Sequence, residues 1–588
     1  MNPMPPSSFT APAALRWITF AGLGLLVLHL IAQAPNVPWR FICPDEAQHL
    51  HAARRIAEGL VVYRDFFEHH GFLYYYLLAP LVGFLDDPMH VLFVARGLSG
   101  LLWIGSLGLM FRLGQRVAPS EAWRRPTGLV AVLLLAGDYY SFNMAIEVRP
   151  DSLMLPLLLG SLEASLIAIE RASWRWSLVS GLLLGLLALS GPRAFIVAVA
   201  MLAVHLVAIF TGPSEMRRGA MKRLGVFIGA CLIPIVASVI GFGLAGAFDD
   251  LVAALFRYNL RYKVSNAVPV TANLRDTILL HPVVWVAGLA GLAMQMRAEW
   301  LGVTGGARHG VAIFLLVGLL SLLFIHQAAP QHFFVNITPF LALSAAWFLI
   351  DMAASWVNRK VRAIDGMALA LLMGLPVLPA FVTAWYLHDS PVVHVPTGLL
   401  VGGSLLLGTV ALVTWHLRMR GPTLIAGLLL LVWMPLAMQA RIALLLDEPG
   451  FYDNRRQMAG MHQIQAVLPT SARVHDGFSG LGFMHPAIGY HGLLHDQSIE
   501  MLGPERLRRT FRKAFALHPP ELVLFTRELL FLWGDEAAER FRSYDVLFWQ
   551  KDQVAYIPQA RVDVIALVRS ANEVGTAVHI PFGELRRQ

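Results

Sequence analysis

Charge is what this 588-residue chain lacks. Asp, Glu, Lys and Arg make up 14% of it and hydrophobic residues 56%, where a soluble domain carries about 25% charge. That composition excludes a single soluble enzyme and a disordered tail. Cysteine is almost as scarce. Cys43 and Cys231 are the two, and Cys231 lies in an apolar run, which excludes a disulfide framework and leaves no Cys/His spacing of a structural zinc site. Internal repeats are absent, and low complexity is confined to the first dozen residues.

The charge deficit is uneven. About 22% of residues 442–588 are charged, against roughly 12% of what precedes them. The expected fold is therefore an all-α polytopic membrane domain, 1–441, followed by a small soluble α/β domain, 442–588. Runs near the ~20 apolar residues that a span requires occur at 17–38, 89–111, 127–142, 152–169, 176–190, 194–212, 224–247, 278–296, 310–326, 333–350, 365–387, 395–415 and 422–440. These predict about 13 transmembrane helices, the first retained rather than cleaved. In the tail, Asp453–Val467 and Pro504–Leu517 suit helices. Ala472–Asp476, Glu521–Phe525 and Asp545–Trp549 suit strands.

Net charge is +8, and its placement explains it. One set of short alternate loops, from Arg16 to Arg420, holds about 18 basic residues; the other set holds about 10 in longer loops. The positive-inside rule puts the N-terminus in the cytoplasm, with loop 39–88, loop 248–277 and the tail outside. In a bacterial chain this means the inner membrane, with the tail in the periplasm. Nucleic acid is not an expected partner.

Charges at an apolar boundary are costly, so the outer clusters are the candidate site. The first is Asp45-Glu46, opening an amphipathic stretch to Glu58, then Glu68-His69-His70-Gly71 within the aromatic-rich segment 66–85, which suits an interfacial helix pair. The second is Glu147-Val148-Arg149-Pro150-Asp151. The remainder are Arg193, the basic loop Arg257, Arg261, Lys263 and Arg275, and His326 to His332. Asp45 and Asp151 also fit plain helix caps. Outer basic groups run against the charge bias and point to an anionic ligand such as a lipid phosphate. Nucleotide sugars are cytoplasmic, so sugar chemistry at this face needs a lipid-linked donor. Its polyprenyl phosphate would leave against Arg and Lys, and a carboxylate would deprotonate the acceptor hydroxyl. One base without a covalent intermediate inverts the anomeric centre.

The Asp-Glu opening, the run Ala52 to Asp65, and Glu147-Val148-Arg149-Pro150-Asp151 resemble the GT-C glycosyltransferases, closest to the protein O-mannosyltransferase and lipid A aminoarabinose-transferase superfamily. The resemblance spans roughly residues 15–440. It implies Asp45 as general base, Glu46, Glu147 and Asp151 as supporting acids, and Arg149 as their partner. Arg193, His69, His70, Arg257, Arg261, Lys263 and His332 are the candidate substrate and phosphate contacts. The implied partners are a polyprenyl-phosphate-linked sugar, a lipid, glycan or protein acceptor, and membrane lipids. No cofactor is expected, and a divalent metal is not favoured because Asp45 and Glu46 point to different sides of a helix. Two departures stand out. His69-His70-Gly71 replaces the family's Lys-Pro-Pro run, and Gln331-His332 replaces its Arg-Tyr pair. A transporter or flippase, or a non-catalytic assembly partner, is the alternative. A transporter would show buried mid-helix charges and two related halves, and no such halves are found.

Overall fold

A computed structural model describes residues 11–34, 36–261, 281–300, 306–324, 336–357, 454–534, 536–537, 544–550 and 553–558, with isolated positions 274, 277, 278 and 334. The expected spans 365–387, 395–415 and 422–440 lie outside the described residues, as do Lys263, Arg275 and His332.

The chain is mostly helical. α1 (Ala11–Gln33) leads through α2 (Asn36–Trp39) to α3 (Pro44–Ala57) and α4 (Leu73–Val82). There follow α5 (Pro88–Val117), α6 (Arg124–Ala136), α7 (Tyr139–Ile146), α8 (Pro150–Glu170), α9 (Trp174–Ser190), α10 (Ala194–Thr211) and α11 (Ser214–Leu244). Helices Pro282–Trp300, Ala307–Phe324 and Thr338–Val357 complete the described bundle. Among the described residues, five helices are long and apolar enough to cross a membrane: α5, α8, α10, α11 and the last of these. On α11 the side chains of Val236, Ile240 and Leu244 are exposed, as a lipid-facing surface requires.

Small residues bring the helices together. Gly181 and Gly185, one turn apart on α9, pack so closely on α11 that a Cβ would meet the carbonyl oxygens of Phe227 and Cys231. This is the small-xxx-small device by which membrane helices gain van der Waals contact without a hydrophobic driving force.

Two expected elements are built differently. The run 127–142, expected as one helix, breaks at Gly137-Asp138. Asp138 caps α7 by accepting from the Ser141 amide at 2.7 Å and lies 3.3 Å from His281. The segment 66–85 is helical only from Leu73 onward. Residues 69 and 70 turn instead because the Glu68 carboxylate accepts both of their backbone N–H groups, at 2.8 and 3.1 Å.

The C-terminal portion carries a four-stranded mixed sheet of order β1-β2-β4-β3, from β1 (Val474–Asp476), β2 (Leu522–Phe525), β3 (Tyr544–Gln550) and β4 (Gln553–Pro558). β1 and β2 are parallel, and the other pairings antiparallel. Helices Arg455–Val467 and Pro504–Leu517 fall close to their expected places, whereas β4 and helices Asp496–Leu502 and Arg527–Trp533 were not anticipated. This portion is fastened to the segment 39–58. Gln457 exchanges hydrogen bonds with the Ile42 backbone at 2.7 and 2.9 Å, and His51 contacts the Phe483 carbonyl at 3.1 Å.

Candidate functional site

α3 begins where Pro44 takes the first helical position, which suits a residue without an N–H, and Cys43 is the N-cap with no side-chain cap bond. Asp45 therefore sits inside the first turn and is not the cap. Burial, then the Asp45 charge, pushes the Cys43 thiol up to about 12. The adjacent carboxylates then diverge. Glu46, 1% exposed, is held bidentately by Arg96 at 2.6 and 2.8 Å and also accepts the Val148 amide at 2.9 Å. Arg96 spends its other donors on the carbonyls of Val37, Pro38, Arg40 and Phe41. Glu46 is thus a fixture between the first loop and the 147–151 segment.

Asp45 belongs to a second network. Arg149 stands 3.3 Å from Asp45, 2.8 Å from Glu147 and 3.3 Å from Asp151. Arg193 reaches Asp151 at 2.5 Å, and Arg40 reaches Glu147 at 2.5 Å. Three carboxylates and three guanidiniums balance, which is how charges are kept at an apolar boundary. Burial works against the Arg149 charge, but Glu147, Asp151 and Asp45 outweigh it and raise its pKa. Asp45 is the accessible acid, its side chain 40% exposed against 4% for Glu147 and 10% for Asp151. Asp151 lies in the first turn of α8, whose N-cap position is Arg149, with no side-chain cap bond. The backbone turn is pinned by Ser152 and Ser99, both donating to the Glu147 carbonyl at 2.7 and 3.1 Å.

A third group adjoins it one turn along α3. Glu68 accepts from Gln48 at 3.1 Å and lies 2.7 Å from His70 Nδ1. His49 Nδ1 lies 2.9 Å from the Tyr75 hydroxyl, and its ring meets that of His70 edge-on at 4.9 Å. Burial, reinforced by His70, drives His49 down to about 3. Burial opposes the Glu68 charge, but the His70 hydrogen bond and the neighbouring imidazoles hold its pKa low. Gly71 makes the turn possible, because a Cβ there would meet the backbone of Leu189 and Ser190. His69 is buried beneath Tyr258, with ring centroids 5.0 Å apart, and its carbonyl accepts from Asn259 at 2.9 Å.

The sequence-derived candidates thus separate by position. Asp45, Glu147, Arg149, Asp151 and Arg193 converge in one network, and His69 and His70 flank Glu68. Glu46 is turned to Arg96 instead. Arg257 is exposed on the segment after α11, and Arg261 ends the short helix Asn259–Arg261. Sequence reasoning missed Arg40, Arg96, and Gln48 and His49 beside Glu68. Arg96 left a signal, since it is a lone charge inside the apolar run 89–111.

Residues 70–242 match the family described as Dolichyl-phosphate-mannose-protein mannosyltransferase. No curated protein matches the chain. Among solved structures, ArnT from Cupriavidus metallidurans bound to undecaprenyl phosphate is similar, at a TM-score of 0.58 and 14% identity, with 94% of this chain and 99% of that one covered. Its apo form gives 0.57 at 14%, with 92% and 98% covered. The Archaeoglobus fulgidus oligosaccharyltransferase in apo form gives 0.53 at 11%, with 95% and 76% covered.

Proposed function

From a chain with the fold of the GT-C membrane glycosyltransferases, and a mannosyltransferase-family match over residues 70–242, we propose that it is an inverting glycosyltransferase. It moves one sugar from a polyprenyl-phosphate donor to an acceptor at the outer face of a bacterial inner membrane. The observation that carries this reading is Asp45: the most accessible carboxylate of a network of acids and arginines, with Arg149 at 3.3 Å.

In this reading Asp45 accepts the proton of the acceptor hydroxyl as its oxygen bonds to the anomeric carbon. The bond from that carbon to the phosphate oxygen breaks on the opposite side, and the polyprenyl phosphate leaves with the electron pair. Arg193 and Arg149 offer fork-shaped donors to its oxygens. Glu147 and Asp151 act by positioning Arg149. The fold is supported by relatives whose structures hold undecaprenyl phosphate or an acceptor peptide, and the loop-charge asymmetry supports the orientation. The portion beyond residue 441 is proposed to form the outer α/β domain.

The test is consumption of a labelled polyprenyl-phosphate-sugar pool by membranes with and without the chain. The reading expects chain-dependent release of polyprenyl phosphate and a product of inverted configuration. A chain-independent pool, or retained configuration, contradicts it. The transporter alternative has no pair of related halves in the sequence behind it, and the two acids of the expected spans are engaged by local partners. Glu163 is bridged by Arg112 and Arg116 at 3.0 and 2.7 Å, and Asp138 faces His281.

A further inference from the structure

We propose that His49, Glu68 and His70 form a binding site for one zinc-class divalent cation. Each offers a ligand atom, and the three atoms lie within 4.8 Å of one another. They come from two elements, α3 and the turn before α4, whose mutual placement is fixed by other contacts. Gln48 and two backbone N–H groups hold Glu68.

The second observation is His49 itself. It is fully buried, Nδ1 is engaged by the Tyr75 hydroxyl at 2.9 Å, and Nε2 is buried with no hydrogen-bond partner among the described residues. When Nδ1 carries the proton, Nε2 keeps a bare lone pair that an ion could take. An imidazole oriented by a hydrogen bond at its other nitrogen is the usual state of a metal-ligating histidine. A buried polar atom without a partner is otherwise a cost the fold would avoid.

The donor set selects the ion. Two imidazoles and one carboxylate suit zinc and its neighbours, whereas magnesium and calcium prefer all-oxygen sites. Ligand bonds of about 2.1 Å in a tetrahedron set ligand atoms roughly 3.4 Å apart, so loading re-spaces the three groups and replaces the 2.7 Å contact between His70 and Glu68 with bonds to the ion. His70 can supply that movement, because its side chain is 33% exposed at the rim and so also offers the entry path. Three protein ligands leave one position open. His49 follows Asp45 by one turn of α3, so in the proposed reaction the ion would add positive charge beside the base, in a run that contains no lysine. The binding itself does not depend on that reaction.

The full chain, purified in detergent, is stripped with chelator, reloaded with zinc chloride, desalted and assayed for metal by mass spectrometry. Zinc-dependent thermal stabilisation is measured alongside. Wild type should retain about one zinc per chain and melt higher with it. His70→Ala and His49→Gln should lose both effects, and His90→Ala, at an exposed position remote from the cluster, should keep them. Should His49→Gln prove polydisperse, His70→Ala decides alone. Equal zinc in His70→Ala and wild type overturns the site, as does wild type holding none above the buffer blank. Asp45→Asn should hold zinc as wild type does, so failure of the site and failure of the glycosyltransfer reading are distinguishable.

Discussion

Asp45 and Glu46 are neighbours in one helical turn and live in different surroundings. Glu46 is sealed against Arg96 by two short bonds and fastens α3 to the segment before α8. Asp45 meets Arg149 at a longer 3.3 Å and keeps much of its carboxylate accessible. Adjacent residues on a helix point about 100° apart, so one faces the protein and the other a more accessible surface. The lesson is that carboxylates side by side in sequence can hold separate roles, one securing the frame in which the other can react.

The comparison breaks most forcefully through Arg96. Arg96→Met leaves Glu46 buried without its partner, which should cost about 3–5 kcal/mol and appear as a large loss of monodisperse protein and thermal stability. Arg149→Lys keeps a charge but loses the fork shared among three acids. Donor turnover should fall about tenfold or more, with a smaller stability loss, since Lys cannot reproduce bidentate geometry. Turnover per folded molecule separates the two effects. Asp45→Asn should change thermal stability by no more than about 1 kcal/mol, the range for a partly exposed ion pair.

Acid provides a gentler handle, because the C-terminal portion backs α3. Burial lowers His51 and His475 to about 3 and His485 and His491 to about 4. The unfolded chain takes up protons near 6.5 while the folded chain resists them, so stability should fall as pH drops below about 6.5. Asp476 opposes this. Burial raises it to about 6, so its contribution is present at low pH and lost as pH rises through 6. Hydrogen-exchange protection of residues 474–491 in the full chain, taken relative to the intrinsic rate at each pH, should fall from pH 7 to pH 5, and Asp476→Asn should steepen the fall.

Much of this frame was readable beforehand. Apolar runs place most of the described helices within a few residues, since burial in lipid and the 3.6-residue turn act locally. The cluster Glu147 to Asp151 and Asp45 stood out as charges at an apolar boundary. What stayed hidden depends on distant partners. Arg40 and Arg96 acquire meaning only when residues 107 and 50 positions away fold against them. Likewise the turn at Glu68 comes from a side chain capturing backbone N–H groups, which the aromatic pattern of 66–85 disguised as a helix. The order β1-β2-β4-β3 is set by crossovers that strand periodicity cannot reveal.

The most direct test of the account is single-turnover release of polyprenyl phosphate from a labelled donor by purified wild type and Asp45→Asn, both monodisperse. The account predicts that the variant binds the donor like wild type but releases its phosphate at least about a hundredfold more slowly. Release at the wild-type rate would contradict Asp45 as the base.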